Sequence, residues 1–225
     1  MCFKKNTLFF TLFLIAYITN YGWSQTIPPT LKAEGDQYYC PLEEINIVTD
    51  FSIYNPDNVV IDAIYIQIST GYIRGEDQLK YLGINSNITA QPFVSLEGKL
   101  TLDWVGAGPP NNSELVNAVE NVIFQSSSTA PSGIRTFSIT IGEANYLPST
   151  GHYYEYIQDV GITWQQAKDT AEGLEYFGLQ GYLATISSPE EAQLSGKQAA
   201  GAGWIGGSDA AVEGTWKWVT GPENG

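Results

Sequence analysis

The sequence is poor in the residues from which many catalytic and metal sites are built. Its 225 residues include two cysteines and one histidine, and lysine and arginine together number 10, against 24 aspartates and glutamates. A single histidine, His152, is too little for a histidine-based zinc site, and its place at the start of a predicted edge strand argues against a serine triad. The formal charge of −14 opposes nucleic acid and anionic lipid, so we exclude both as partners.

Other catalytic patterns are also missing. The adjacent pairs Glu43-Glu44 and Glu190-Glu191 diverge, because neighbours on a strand face opposite sides and neighbours on a helix are rotated by about 100°. Neither pair is therefore placed for glycoside hydrolysis. No glycine-rich loop with a lysine is present to hold phosphate. We therefore predict that the protein is not an enzyme.

Long apolar runs are scarce. The apolar run over residues 8–18 is about half of the roughly 20 residues that a membrane span needs. It follows Lys4 and Lys5 and precedes Gly22-Trp23-Ser24, a layout that predicts a secretory signal peptide over residues 1–24. No later run is long enough to span a bilayer, so we expect no direct membrane insertion after cleavage. The mature protein is expected to be secreted or held at the cell surface.

Cleavage after Ser24 would leave one cysteine, Cys40, because Cys2 lies in the predicted signal peptide. A lone cysteine forms no disulfide within its own chain, so we expect Cys40 to be a small buried apolar residue. A disulfide with a segment beyond Gly225 is the alternative.

Short β-type segments dominate residues 27–143. Polar and apolar side chains alternate over residues 59–68 and 135–141, which predicts half-buried strands. A short helix is predicted over residues 113–119, with Ser113 as its cap. Short strands at this spacing, separated by turn residues, predict an all-β sandwich over residues 27–143.

Three motifs in this region resemble the cadherin-like repeats of proteoglycan-type bacterial surface proteins. They are Ile-x-Ile-x-x-Gly-Tyr-x-x-Gly-Glu-Asp-x-Leu over residues 66–79, Gly-Lys-Leu-Thr-Leu over 98–102 and Arg-Thr-Phe-Ser-Ile over 135–139. The resemblance covers residues 64–142 and implies a spacer or adhesion domain. Glu76 and Asp77 either join a calcium site or lie in a solvated loop. We favour the loop, because no third carboxylate is nearby in sequence.

Residues 147–151, Leu-Pro-Ser-Thr-Gly, predict a hinge, after which a different pattern begins. Strands are predicted over residues 152–157 and 181–186. A helix is predicted over residues 162–172 with Thr163 as its cap, and a second helix begins at Ser188.

The order of these elements resembles the C-type lectin-like fold. The matching motifs are Thr163-Trp-x-x-Ala167, Gly181-Tyr-Leu-Ala-Thr-Ile186, Pro189-Glu-Glu191, Trp204-Ile-Gly-Gly207 and Glu213-Gly-Thr-Trp216-x-Trp218. The resemblance implies an α+β C-type lectin-like domain over residues 151–225 that is incomplete at its C-terminus. A cysteine of the family is replaced by Ala171. The family's closing strand and its sugar-binding calcium loop would follow Gly225.

The resemblance places Asp209 and Glu213 in an auxiliary calcium site. Calcium takes about 6–8 oxygen ligands, so the others must come from elsewhere. The alternative is a turn in which Glu213 caps local backbone. We expect Trp204, Trp216 and Trp218 to be mostly core residues, with Trp216 and Trp218 on one face of a strand, and the ligand-binding residues to lie beyond Gly225.

Together these features predict a non-catalytic extracellular recognition or adhesion protein. The expected partner is carbohydrate or a surface glycoprotein, and the expected ion is calcium. The alternative is a structural or protein-binding surface adhesin that binds no sugar.

Overall fold

The computed structural model describes residues 27–223 and residue 225, together with the backbone of Phe3–Lys4. The chain forms two compact units, Met1–Tyr153 and Tyr154–Gly225, which divide just after the predicted hinge. The predicted signal peptide lies outside the described residues, apart from that dipeptide. Among the described residues, no helix has the length and apolarity that crossing a membrane requires.

The first unit consists of short strands and one helix. Its elements are β1 (Phe3–Lys4), β2 (Thr30–Glu34), β3 (Tyr38–Tyr39), β4 (Glu44–Asn46), β5 (Asp50–Tyr54), β6 (Ala63–Thr70), β7 (Asp77–Tyr81), β8 (Ile88–Ala90), β9 (Lys99–Trp104), α1 (Asn112–Glu120), β10 (Val122–Ser126), β11 (Thr136–Thr140) and β12 (Asn145–Leu147), and β13 (His152–Tyr154) ends at its boundary. One sheet has the strand order β11–β6–β9–β8 and a second has the order β4–β10–β7. Smaller sheets pair β2 with β5, β1 with β3 and β12 with β13.

The core of the first unit lies between its two larger sheets. Ile64, Ile66 and Ile68 on β6 are fully buried, as the alternating pattern predicts. Phe124 of one sheet meets Phe137 of the other edge-to-face, with ring centroids 5.4 Å apart. Residues from both sheets form one apolar cluster, so this unit is β-rich with a shared core between antiparallel sheets.

Helix α1 begins one residue earlier than the pattern predicts. Its cap is Asn111, whose side-chain oxygen accepts a hydrogen bond from the backbone N–H of Ser113. The prediction of Ser113 as the cap is therefore wrong. Asn111 has the extended backbone, φ −94° and ψ 118°, that an N-cap requires, while Ser113 already lies inside the helix.

A buried ion pair joins the start of β7 to the residue before β11. Arg135 Nε donates to Asp77 Oδ2 at 2.6 Å, and the two side chains are 2% and 0% exposed. The same carboxylate oxygen accepts from the backbone N–H of Ile73, and Arg135 Nη1 donates to the carbonyl of Ser132. Asp77 therefore lies in neither a solvated loop nor a calcium site, because its oxygens already hold a guanidinium and a backbone amide.

Gly71, at the end of β6, allows the close approach that brings these segments together. Its φ is +73°, and a Cβ placed there would lie 2.0 Å from the carbonyl oxygen of Ile134. Any side chain at this position would push away the segment that carries Arg135.

Cys40 differs from its prediction. It is half-buried and disulfide-bonded, whereas we expect a lone buried thiol. The other cysteine of the sequence is Cys2, which lies outside the described residues.

The second unit contains short elements joined by long connections. They are α2 (Trp164–Glu172), β14 (Glu175–Tyr176), β15 (Leu179–Gln180), α3 (Pro189–Glu191), which continues as a π-helix over Ala192–Lys197, β16 (Gly207–Ser208) and β17 (Lys217–Trp218). Helix α2 confirms the predicted cap, because Thr163 and Gln166 form a capping box. Ser188 likewise caps α3, and its side chain accepts from the N–H of Glu191.

Two strand predictions in this region need correction. The segment 181–186 contains no strand. It is still bonded to the tryptophan segment, since Gly206 N–H donates to Ala184 O, and Gly206 O in turn accepts from Val219 N–H. Strand β13 ends at Tyr154 and pairs with β12, whereas we expect a longer strand whose partner follows Gly225.

Breaking the buried pair in the first unit should be costly. Asp77→Ala would leave the Arg135 guanidinium buried without its partner, so we expect a loss of about 3–5 kcal/mol in the free energy of unfolding. Urea denaturation of the full chain measures this loss. The exposed pair Lys32–Glu34 is the control, and Lys32→Ala should leave the unfolding midpoint unchanged. Equal midpoints for the two variants would contradict the structural role of Asp77.

Candidate functional site

The tryptophans of the second unit lie largely at its surface. Trp204 is 52% exposed and Trp216 is 69% exposed, while Trp218 is half-buried. The prediction that they are mostly core is therefore wrong for Trp204 and Trp216. Trp216 lies just outside strand β17, so the two rings do not share a face of that strand as predicted, but both lie beside Gly207. A Cβ placed on Gly207 would lie 3.7 Å from the ring of Trp216 and 3.3 Å from the ring of Trp218.

Two indole groups fasten helix α2 to the tryptophan segment. Trp164 Nε1 donates to the carbonyl of Ile205 at 2.9 Å, and Trp204 Nε1 donates to the carbonyl of Ile162 at 2.8 Å. Each indole thus bonds to backbone beside the other tryptophan. This reciprocal pair holds the ring of Trp204 in place although half of its surface meets solvent. Sequence reasoning gave no signal for it, because the partners lie about 40 residues apart.

The predicted calcium residues lie in the loop between β16 and β17. Asp209 is half-buried, and its Oδ2 accepts from the backbone N–H of Gly214 at 3.2 Å. Gly214 has φ +77°, a conformation that favours glycine. Asp209 rather than Glu213 therefore caps this turn, and Glu213 is exposed.

The donors present are too few for calcium by themselves. Across residues 27–223, the structure contains no cluster of three or more histidine, cysteine, aspartate or glutamate side chains that could hold a metal ion. Asp209 and Glu213 would supply two carboxylates toward about 6–8 oxygen ligands. A calcium ion at this loop would need ligands beyond these two side chains.

Glu191 is a buried carboxylate, which the sequence indicates only as part of a helix motif and as one of a diverging pair. Tyr154 Oη donates to its Oε1 at 2.7 Å, and the backbone N–H and hydroxyl of Ser187 donate to its Oε2 at 2.8 and 2.7 Å. Burial alone would raise the pKa of Glu191, but the hydrogen bonds from Ser187, Tyr154 and Ser188 outweigh it, so the pKa lies below its ordinary value of 4.5. Glu191 therefore links α3 to the first residue of the unit as a carboxylate.

An open depression of about 400 Å³ lies before helix α2. It is lined by Asp159, Val160, Gly161, Ile162, Gln166 and Thr170. Asp159 is its one ionisable lining residue, and Gln166 is engaged in the capping box of α2. This depression therefore brings together no acid–base pair.

Comparison with known proteins gives one informative similarity. No protein-family model matches the chain, and no solved structure matches it. A curated protein named Halomucin, from Haloquadratum walsbyi (strain DSM 16790 / HBSQ001), is 36% identical over 183 residues. The match covers 77% of this chain but 2% of Halomucin, so the chain corresponds to a small part of a far longer protein. The cadherin-like and C-type lectin-like assignments stay predictions.

The stretch that matches Halomucin includes parts of both units of the chain. Because 77% of the chain is covered, less than a quarter is left unmatched. The second unit, Tyr154–Gly225, is longer than that remainder. Wherever the matched stretch begins, it therefore includes the junction between Tyr153 and Tyr154.

Glu191 should make the stability of the second unit depend on pH. Its folded pKa is lowered, so the unfolded state binds more protons as pH falls below about 4.5. The contribution of Glu191 is complete above that pH and is lost as pH falls through the folded pKa. Thermal unfolding at pH 3–7 should show this loss in the wild type and a smaller one in Glu191→Gln, which we expect to cost about 1–3 kcal/mol at pH 7.

Glu190→Gln is the matched control for this measurement, because the neighbouring Glu190 is only half-buried. It should retain the pH profile of the wild type. A Glu191→Gln profile parallel to that of the wild type would contradict the assignment.

Proposed function

We propose that the chain is a non-catalytic recognition or adhesion protein of the cell surface or exterior, in which the second unit binds carbohydrate. The β-rich first unit serves as a spacer that presents it. The observation that carries this proposal is that the rings of Trp216 and Trp218 lie beside Gly207 and that Trp216 is 69% exposed.

An extracellular or surface location is supported by two features. The similarity to Halomucin supports a surface or extracellular protein. The N-terminal layout of Lys4 and Lys5, a short apolar run and small residues near position 24 is that of a secretory signal peptide.

Carbohydrate is supported by the composition of the tryptophan surface. A sugar ring presents C–H groups on its faces and hydroxyls at its edge, so it matches an exposed aromatic ring beside polar groups. Gly207 has no side chain to cover the rings of Trp216 and Trp218. Ser208 and Asp209 follow directly and carry a hydroxyl and a carboxylate suited to sugar hydroxyls.

Calcium is part of the proposal for this site. The carboxylates of Asp209 and Glu213 are oxygen donors of the kind that calcium prefers, and both belong to the loop that joins β16 to β17. The sugar hydroxyls and further protein oxygens would supply the remaining ligands.

A protein-binding adhesin is the second candidate, and other exposed apolar side chains favour it. The β14–β15 hairpin carries Phe177 at its tip, 48% exposed and with φ +48°. Val212, in the Asp209 loop, is 61% exposed. A contiguous exposed apolar patch is typical of a protein interface, and this candidate requires Phe177 and Val212 to belong to one.

Replacing the exposed ring should separate the two candidates. On a glycan array, Trp216→Ala should lower sugar binding at least about tenfold, roughly 1.4 kcal/mol, while Trp216→Phe keeps part of it. Tyr54→Ala removes a ring that is 65% exposed in the first unit and should leave binding unchanged. Chelator and Asp209→Ala should each weaken binding if calcium takes part. A wild-type chain that binds no glycan but captures a defined protein would favour the adhesin.

Processing of the N-terminus tests the proposed export. Protein recovered outside the producing cell should begin at Gln25, as measured by intact mass and N-terminal peptide analysis. Cleavage after Ser24 also removes Cys2 and leaves Cys40 without a disulfide partner in its own chain, so the same mass shows whether Cys40 is then a free thiol. A chain that keeps Met1 outside the cell would contradict the signal peptide.

A further inference from the structure

We propose that Asn111 is an attachment site for an N-linked glycan, an inference that rests on the proposed export. The sequence contains two Asn-x-Ser/Thr tripeptides without proline at the middle position, Asn87-Ile88-Thr89 and Asn111-Asn112-Ser113. This pattern is the acceptor for N-glycosylation in exported proteins. The structure distinguishes strongly between the two asparagines.

Asn111 presents its side-chain nitrogen to solvent. The residue is exposed, and its Oδ1 accepts from the backbone N–H of Ser113 at 3.0 Å and from the Ser113 hydroxyl at 2.8 Å. Both of these bonds use the oxygen. In the part of the chain that the structure describes, Nδ2 makes no hydrogen bond, so it is available to a glycosyl donor.

The hydrogen bond from the Ser113 hydroxyl also makes the side chain of Asn111 a better nucleophile. A hydrogen bond from Ser113 to Oδ1 stabilises negative charge on that oxygen, and so favours the imidate form of the side chain once Nδ2 loses a proton. The imidate nitrogen is a better nucleophile than an amide nitrogen. The third residue of the tripeptide thus acts on the first through a contact that is already formed in the folded chain.

The transfer needs a sugar donor, which we assign to the class of lipid-linked sugar pyrophosphates. Nδ2 gives its proton to a base of the transferring enzyme and forms a bond to the anomeric carbon of the sugar. The bond between that carbon and the pyrophosphate oxygen breaks, and the pyrophosphate leaves with the electron pair. No oxidant or reductant is required.

A glycan at Asn111 is compatible with the fold. Attachment at Nδ2 leaves Oδ1 as an acceptor, so the cap of helix α1 persists. Pro109 and Gly108, just before the cap, are exposed, and a Cβ placed on Gly108 would meet nothing within 4 Å. There is room for a bulky group at this point of the surface.

The side-chain nitrogen of Asn87, in contrast, is not available to a glycosyl donor. It is half-buried, and its Nδ2 donates to Glu114 Oε1 at 3.0 Å, so the nitrogen is already engaged. Its carbonyl accepts from the N–H of Val105, and Thr89 is held in strand β8 opposite Asp103. Modification of Asn87 would require this part of the fold to open.

The decisive experiment compares the two sites in the folded chain. Purified full-length protein is incubated with a lipid-linked oligosaccharide and an oligosaccharyltransferase that accepts Asn-x-Ser/Thr, and occupancy is followed by glycopeptide mass spectrometry. We expect Asn111 to react at least tenfold faster than Asn87. Synthetic peptides covering residues 84–92 and 108–116 should react within about threefold of each other, because the fold creates the difference. Equal rates in the folded chain, or no transfer to Asn111, would overturn the proposal.

Two variants separate loss of the acceptor from loss of the fold. Asn111→Asp keeps a capping oxygen and should leave the melting temperature unchanged while abolishing transfer. Ser113→Ala keeps the backbone donor but removes the hydroxyl, and should lower the rate of transfer at least tenfold. Transfer to Ser113→Ala at the wild-type rate would contradict the role of the hydroxyl.

Protein from the producing cell shows whether the site is used. The peptide containing Asn111, recovered from outside the cell, should carry a sugar, and that containing Asn87 should not. Unmodified Asn111 in protein found outside the cell would overturn this inference alone. Protein found only inside the cell would contradict the proposed export, while the reaction of the purified chain still decides whether Asn111 is an acceptor.

Discussion

The buried pair of Asp77 and Arg135 is the interaction on which the first unit depends. Two charges without water are costly unless each is fully bonded, and here the carboxylate also accepts from the N–H of Ile73 while the guanidinium also donates to Ser132. The guanidinium further lies 5.9 Å from the ring centre of Tyr39, which packs edge-on against Phe124. The ion pair therefore packs against the aromatic core. The segments leading into β7 and β11 must keep both the ion pair and the contacts of Tyr39 in place.

The second unit is stabilised differently, and this difference explains where its tryptophans lie. Few large apolar side chains are buried in it, Leu194 and Tyr154 among them, and polar groups such as Glu191 and Thr185 occupy other buried positions. Its segments are tied by hydrogen bonds with fixed direction, above all the reciprocal indole bonds of Trp164 and Trp204. Because these bonds use the indole N–H, they hold the side chain of Trp204 without burying its ring, which stays 52% exposed.

The sequence predicts the first unit better than the second for a physical reason. Alternation over β6 identifies Ile64, Ile66 and Ile68 as one buried face, although Gln67 and Ser69 on the opposite face are buried as well. Strands β16 and β17 contain two residues each, too few for any periodicity. The Asp77–Arg135 pair joins residues 58 apart, and the lack of a third carboxylate nearby in sequence favoured a solvated loop. At the candidate site, the family resemblance predicted Asp209 and Glu213 as calcium ligands, with a turn capped by Glu213 as the alternative. Exposure of the tryptophans depends on contacts that no local pattern encodes.

The charge of the chain and its exposed rings act over different distances, and both bear on the proposed sugar ligand. A formal charge of −14 repels anionic partners, although at physiological ionic strength this repulsion is screened beyond about 8 Å. Stacking on Trp216 begins only at contact and does not depend on charge. An anionic polymer therefore meets opposition at the distance where stacking would start, whereas an uncharged sugar meets none.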